Sequence, residues 1–345
     1  MPKIRRANTD LALQQILRRA VTVAVLIALA AALAGCEGQQ SMLDPQGPAA
    51  RSIAKISWVM FAGATVILLG VMALALYAVF RPHDRRRSLS EIAFIAGGGV
   101  VFPVVTLTAL LVYGVYQMGD LRAEPPEDPI RIEVFGNQWW WDVHYLGPDD
   151  QIIMTTANEI RIPAGVPVSV LLRTHDVIHS FSVPNLHGKI DMIPGRRNHV
   201  RLQADHPGVF RGHCAEFCGA QHARMAFFVI AEPREQFEAW LAAQRRPAAP
   251  PASELAARGR ESFRRHCVEC HTIRGVGEAE RRGPDLTHLA SRRTIGAGTL
   301  ENNRANRLRW ITQNELVKPG NAMPEFAHLE KQELEGLLEY LEGLR

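Results

Sequence analysis

The apolar positions of this chain cluster in three long runs that all fall before position 117. The first, residues 20–34, spans fifteen residues behind a basic leader. That is short for a spanning helix, which needs about 20, and suits the hydrophobic segment of an export signal. The other two, residues 56–80 and 92–116, have 25 residues each and no charged side chain. At about 1.5 Å per residue, each is long enough to cross a hydrocarbon layer of about 30 Å with some tilt. From about residue 129 to 231 the pattern changes to short runs at 130–135, 166–173, 198–202 and 226–230, broken by turns at Ile162-Pro163-Ala164-Gly165 and His206-Pro207-Gly208. This spacing predicts a β-sandwich or Greek-key barrel of about 100 residues. A Pro/Ala-rich linker follows over 241–253, and helix-like stretches at 254–265 and 330–343 predict a small all-α domain. The reading is of a multi-domain chain: signal segment 1–35, two-helix transmembrane hairpin 36–120, β-sandwich 121–240, linker 241–253 and helical domain 254–345.

Charge sets the orientation. The net charge of +4 is accounted for by Lys3, Arg5, Arg6, Arg18 and Arg19 against Asp10, so the rest of the chain is near neutral and a nucleic-acid partner has no electrostatic support. Arg81, Arg85, Arg86 and Arg87 lie between the two spanning runs and place that loop in the cytoplasm. Both globular domains are then on the outer, periplasmic face of a bacterial cell membrane. Leu33-Ala34-Gly35-Cys36 resembles a lipoprotein processing site, which would leave a lipid on Cys36; an ordinary signal with an incidental cysteine is the alternative. Gly97-Gly98-Gly99 inside the second run suggests close packing against another membrane helix, although a standalone anchor would also accommodate it.

Five cysteines are present, each in a recognisable local setting, with none left over for a structural disulfide. Cys214, Cys218, His222 and Met225 fall within twelve residues, and His179 lies upstream in Asp176-Val177-Ile178-His179. Thiolate, imidazole and thioether together form the ligand set of copper electron-transfer sites. A mononuclear site uses one cysteine; a second, four residues on, supplies enough sulfur to bridge two coppers, with His179 and His222 capping one metal each. A zinc site or a Cys214–Cys218 disulfide are the rivals, but methionine is not an ordinary zinc ligand. In the last domain, Cys267-Val268-Glu269-Cys270-His271 is the attachment signal for c-type haem: both thiols add to haem vinyl groups and His271 reaches the iron.

The run Cys214-Ala-Glu216-Phe-Cys218-Gly-Ala-Gln-His222-Ala-Arg-Met225, with its upstream histidine, resembles the binuclear CuA site of cytochrome c oxidase subunit II. The resemblance extends over roughly residues 53–240 and includes Gly136-Asn137-Gln138-Trp139-Trp140-Trp141. It implies a cupredoxin-like fold and His179, Cys214, Cys218, His222 and Met225 as side-chain ligands. Glu216 would offer its carbonyl to copper and its carboxylate to a magnesium at the interface with subunit I. Trp139 would stand where cytochrome c electrons enter, with a packing role as the alternative. Glu91 would stand near the mouth of a proton path, a solvated glutamate at a helix start being the alternative. The haem segment resembles class I cytochromes c, in which a methionine before proline, here Met323 in Asn321-Ala322-Met323-Pro324, is the second axial ligand and raises the potential. Together these imply subunit II of a caa-type haem–copper oxidase with a fused cytochrome c. Electrons would pass from cytochrome c or a cytochrome bc complex to the haem, then to CuA, then to haem a and the oxygen-reducing centre of subunit I. Proton translocation and a subunit III would belong to the complex. A membrane-anchored periplasmic electron carrier outside any oxidase is the alternative.

Overall fold

The computed structural model describes residues 38–81, 91–121, 130–277 and 282–345, with scattered positions between 19 and 27; Cys36 and Arg85–Arg87 lie outside the described residues. Helix α1 spans Pro48–Phe80. Helices α2 (Glu91–Ala96) and α3 (Phe102–Leu121) are joined through a π-helical turn at Gly97–Val101. Both helical spans are long and apolar enough to cross a membrane. The three glycines expected to mark close packing form the π turn itself, where the Phe102 N–H donates to the Gly97 carbonyl.

Helix α1 begins at Pro48, well before the apolar run at 56. Gly47 is extended, and proline in the first turn has no N–H to leave unsatisfied. This extra length is not bare: Ala50, Ser52 and Ala54 are buried, and the Ala50 N–H donates to the Leu186 carbonyl at 3.2 Å. A side chain at Gly47 would meet the Gln203 carbonyl at 2.4 Å, so only glycine lets the chain approach there. The segment just before it is pinned by Asn185, whose side-chain amide donates to the carbonyls of Ser41 and Asp44 and whose Oδ1 accepts from the Gln40 N–H.

Ten strands form two five-stranded sheets, in the orders β3-β2-β1-β5-β8 and β4-β10-β9-β6-β7. The strands are β1 (Arg131–Asn137), β2 (Trp140–Leu146), β3 (Ile152–Ala157), β4 (Glu159–Pro163), β5 (Val168–Thr174), β6 (His179–Val183), β7 (His187–Met192), β8 (Asn198–Leu202), β9 (Gly208–Cys214) and β10 (Ala226–Glu232). Two pairings, β1 with β5 and β10 with β4, are parallel, and the others are antiparallel. Alternating inward residues fill the space between the layers; Phe181 stacks on Phe227 at its centre, and Trp141 meets Phe181 edge-on. The predicted sandwich is present, and its four predicted runs became β1, β5, β8 and β10.

After α4 (Arg234–Gln244), the Pro/Ala segment is bound along the last domain rather than standing free. The Ala248 N–H donates to the Arg274 carbonyl at 3.2 Å, and His288 contacts the Arg246 carbonyl at 3.1 Å. The helical domain contains α5 (Glu254–His266), α6 (Arg304–Val317) and α7 (Lys331–Gly343), with a two-stranded turn of β11 (Thr294–Ile295) and β12 (Leu300–Glu301). Ser253 caps α5 by accepting from the Ala256 N–H at 3.0 Å. Helices α5 and α7 cross with their backbones in contact: a Cβ on Gly259 would lie 1.9 Å from the Gly336 carbonyl oxygen. Phe263 and Tyr340 pack beside the crossing.

Gly259→Ala should therefore force the two helices apart and destabilise the helical domain by about 1–3 kcal/mol. Calorimetric unfolding of the full chain would register this as a lowered transition for that domain, with the sandwich transition unmoved.

Candidate metal centres

The first cluster forms where β6 and β9 pair. Phe181 stands opposite Cys214, which places His179, at the start of β6, beside the end of β9. The chain then turns through residues 215–221 into a short 3-10 segment at His222–Arg224 and returns as β10. Gly219 adopts φ +113° in this turn, a conformation that favours glycine, and a Cβ there would press on Gln138 and Trp139 at 3.1 Å.

The donor atoms converge. Cys214 Sγ lies 3.8 Å from Cys218 Sγ, 3.8 Å from His179 Nδ1 and 3.2 Å from the Glu216 carbonyl oxygen. Cys218 Sγ lies 3.7 Å from His222 Nδ1 and 3.8 Å from Met225 Sδ. The ligand atoms of His179, Cys214 and Cys218 all fall within 4.8 Å of one another, and the three residues are buried. The thiols are free and too far apart for an S–S bond of about 2.05 Å, which removes the disulfide rival. Each sulfur faces one imidazole, and a thioether and a carbonyl complete the two ends. A single tetrahedral zinc needs only four donors and leaves two unused; the set suits a pair of soft metals sharing the two sulfurs.

The surroundings fix these donors. His179 Nε2 bonds Asp176 Oδ1 at 2.7 Å, which leaves Nδ1 toward Cys214. A Cβ at Gly136 would lie 2.7 Å from the His179 ring, so this wall must be glycine. The Cys218 carbonyl accepts from Gln138 Nε2 at 2.8 Å and from the Trp139 indole N–H at 3.0 Å. Hydrogen bonding from Cys218 holds the Cys214 thiol well below the usual range, against the effect of burial and with help from His179, while the same bond and burial push Cys218 up. The Glu216 carboxylate pairs with Lys189 at 3.1 Å on a half-exposed surface, away from the sulfurs.

The second cluster closes α5. The His271 N–H donates to the Cys267 carbonyl at 2.9 Å, so Cys267, Cys270 and His271 form one tight turn. His271 Nδ1 lies 2.8 Å from the Pro284 carbonyl and is oriented by it. Burial pushes the His271 pKa down, favouring the neutral imidazole that binds a metal. A cavity of about 280 Å³ is lined by this turn, by Met323 and by apolar side chains including Phe263, Leu337 and Leu341. Met323 is held by a polar chain: its N–H donates to Asn321 Oδ1, Asn321 Nδ2 donates to Asn314 Oδ1, and Asn314 Nδ2 donates to the Pro324 carbonyl. Two buried arginines, Arg292 and Arg307, also line the cavity, and Arg292 Nε has no hydrogen-bond partner among the described residues. Two thiols, an imidazole, a thioether and buried cations suited to carboxylates fit a covalently attached haem.

The sandwich supplies part of the same cavity, through Gln138, Trp139, Trp140 and Asn158. Sequence reasoning singled out Trp139 but missed Asp176, Arg292, Arg307 and Gln138 as site residues. Asp176, three residues before His179, and Gln138, inside the run Gly136–Trp141, carried local signals; Arg292 and Arg307 carried none. Glu91 lies exposed at the start of α2, remote from both clusters in sequence and outside the sandwich.

Residues 146–232 match the family model "Cytochrome C oxidase subunit II, periplasmic domain", and residues 256–345 match "Cytochrome c". Among curated relatives, cytochrome c oxidase subunit 2 of Alkalihalophilus pseudofirmus is 39% identical over 227 residues, covering 66% of this chain and 64% of the relative. That of Bacillus sp. (strain PS3) is 34% identical over 239 residues, covering 66% and 65%. The matched region is thus just under two thirds of each relative's length. A solved periplasmic domain of subunit II of cytochrome oxidase from Bradyrhizobium japonicum is 29% identical with a TM-score of 0.33, covering 35% of this chain and 97% of that one. The subunit II periplasmic domain implies copper and the cytochrome c domain implies haem c, in keeping with the two clusters.

A Cys214→Ser substitution should lower bound copper and abolish near-infrared copper absorption while the sandwich still folds. Metal analysis and absorption spectra of the purified chain would check this; full retention of the absorption would remove Cys214 from the ligand set.

Proposed function

We propose that this chain, which joins a cytochrome c oxidase subunit II periplasmic domain to a cytochrome c domain, is the electron inlet of a membrane-bound haem–copper oxidase. The observation that carries the reading is the shared wall. Trp139 and Trp140 of the sandwich line the cavity beside Cys267, Cys270 and His271, and the Trp139 indole donates to the carbonyl of Cys218. Trp139 thus lines the haem-sized cavity and also bonds the sulfur-bearing turn of the other cluster.

His179, Cys214, Cys218, His222 and Met225, with the Glu216 carbonyl, would hold the copper pair. Cys267 and Cys270 would anchor the haem, with His271 and Met323 on its iron. When bound, these groups supply one-electron redox chemistry, with a charge change spread over two metals and two thiolates at the copper end. The protein's own contribution is position and insulation. Asp176 sets the His179 tautomer, Pro284 sets that of His271, and the asparagine chain holds Met323. Arg292 and Arg307 offer buried positive charge to carboxylates, and Phe263, Leu337 and Leu341 offer an apolar wall to the ring.

In this reading, α1 and the α2–α3 span anchor the chain in a bacterial cell membrane. The arginine loop between them is cytoplasmic, both globular domains lie outside, and a lipid on Cys36 adds a second anchor. Subunit I would receive the electrons at haem a and reduce oxygen, with subunit III and proton translocation belonging to the assembly. A cytochrome c or a cytochrome bc complex would serve as donor. The Glu216 carboxylate, released from Lys189, would reach a magnesium at the subunit I interface, and Glu91 would sit by the cytoplasmic mouth of a proton path.

Purification in mild detergent should bring this chain out with a haem-a-containing polypeptide and an oxygen-reducing activity sensitive to Cys270→Ser. Isolation of the fully metallated chain alone, with no such partner, would instead establish a freestanding anchored electron carrier.

A further inference from the structure

Three consecutive residues at the root of the Met323 loop are held by the sandwich. The Val317 carbonyl accepts from Arg224, the Pro319 carbonyl accepts from Gln221 Nε2, and the Lys318 ammonium donates to the Trp139 carbonyl at 2.6 Å. Gln221 and Arg224 bracket His222, so the turn that presents one copper-site histidine also grips the loop that presents the haem-site methionine. Lys318 also reaches the Gly296 carbonyl at 3.3 Å, which ties the β11–β12 turn into the same point. The Lys318 backbone belongs to the methionine loop: its N–H donates to the Asn314 carbonyl at 2.7 Å, and its carbonyl accepts from Asn321 at 3.0 Å.

Lys318 is an unusual choice for this place. It is 3% exposed, and its two recorded acceptors are carbonyls rather than carboxylates. Burial takes its pKa down to about 7, opposed by Cys218 and reinforced by Arg224. A methionine would fill a similar volume without the cost of burying an ammonium. What lysine adds is a donor that reaches across to the carbonyl of the very residue whose indole holds Cys218.

We infer that Lys318, with Gln221 and Arg224, forms a joint that docks the methionine loop of the haem domain on the histidine turn of the copper domain, and that Lys318 is a positioning residue for electron transfer between them. The transfer half of this inference rests on the proposed function; the docking half stands on the contacts alone. In the step concerned, one electron leaves the haem domain, which is oxidised, and arrives at the copper domain, which is reduced, with no proton moved by Lys318. Without the joint, Trp139 loses its hold on the cytochrome side and the two sites separate.

Two amides report directly on docking. The Ala226 N–H donates to the Ala297 carbonyl at 3.0 Å, and the Arg293 N–H donates to Glu159 Oε1, both across the junction. Hydrogen exchange on the full chain without cofactors should show these two amides exchanging about tenfold faster in Lys318→Met, equivalent to about 1.4 kcal/mol. The amide of Val143, inside β2, should stay at the wild-type rate and so exclude general unfolding. In the loaded full chain, flash reduction of the haem domain by a one-electron photoreductant should be followed by reoxidation at least about tenfold slower, equivalent to about 1.4 kcal/mol of barrier. Both absorption spectra and both reduction potentials should stay at wild-type values. If Lys318→Met fails to fold, Lys318→Gln, which keeps a shorter donor, should shift both rates in the same direction by less. Wild-type exchange at Ala226 and Arg293 would overturn the joint. Faster exchange with unchanged electron transfer would overturn the positioning role. Because the exchange arm needs no cofactor, it decides the joint even if the proposed function fails.

Discussion

Everything at the centre of this molecule depends on how the Cys218 carbonyl is held. It accepts from the Gln138 side chain and from the Trp139 indole, which fixes the sulfur-bearing turn against the β1–β2 connection. That connection also forms part of the haem cavity, so one backbone oxygen couples the geometry of both clusters. The surrounding requirements follow. Gly136 must lack a side chain so that the His179 ring can approach it, and Gly219 must turn with positive φ so that Gln138 and Trp139 can close over it. Neither glycine is needed for the sandwich as such. Gly136 is needed for the His179 ring, and Gly219 for the approach of Gln138 and Trp139.

The same coupling explains why the charged groups at the junction are buried. Glu159, Arg292, Arg307 and Lys318 are each less than a tenth exposed. In an isolated domain such groups would cost more than they return. Here most of them bond to backbone: Glu159 to the Arg293 N–H, Arg292 to the Asp285 carbonyl, Lys318 to the Trp139 carbonyl. Charges satisfied by main chain fix orientation more strictly than apolar packing does, because a carbonyl or amide cannot change rotamer. The two domains are therefore keyed to one relative placement, whereas a tether alone would leave many.

The two donor clusters were legible in the sequence because they are crowded. Cys214 to Met225 and Cys267 to His271 are local motifs whose donor types name their chemistry, and the turns that bring them together need little from elsewhere. The hairpin was legible because a bilayer demands long uncharged runs. The opening turns of α1 were not: Arg51 and Lys55 interrupt the apolar pattern, although the helix continues through them with its alanines against the sandwich. Helix α6 was missed for a related reason. Its inward side carries Arg307 and Asn314, which are buried because they line and wire the haem cavity, so the polar–apolar alternation reads as exposed chain. The segment at 241–253 has the composition of a spacer, and its hydrogen bonds to Arg274 and the packing of His288 are contacts no local pattern announces.

The start of α1 carries a consequence of its own. Gly47 has no room for a side chain, Ala50 is bonded to Leu186, Arg51 is paired with Asp205, and Asn185 clasps the preceding turn. A membrane helix usually meets its outer domain through a loop that lets the two pivot. In this chain the first turns of the helix are bonded directly to the sandwich instead. Under the proposed anchoring, a tilt of the helix in the bilayer would carry through these contacts to the sandwich and shift the height of its sulfur-rich turn above the lipid.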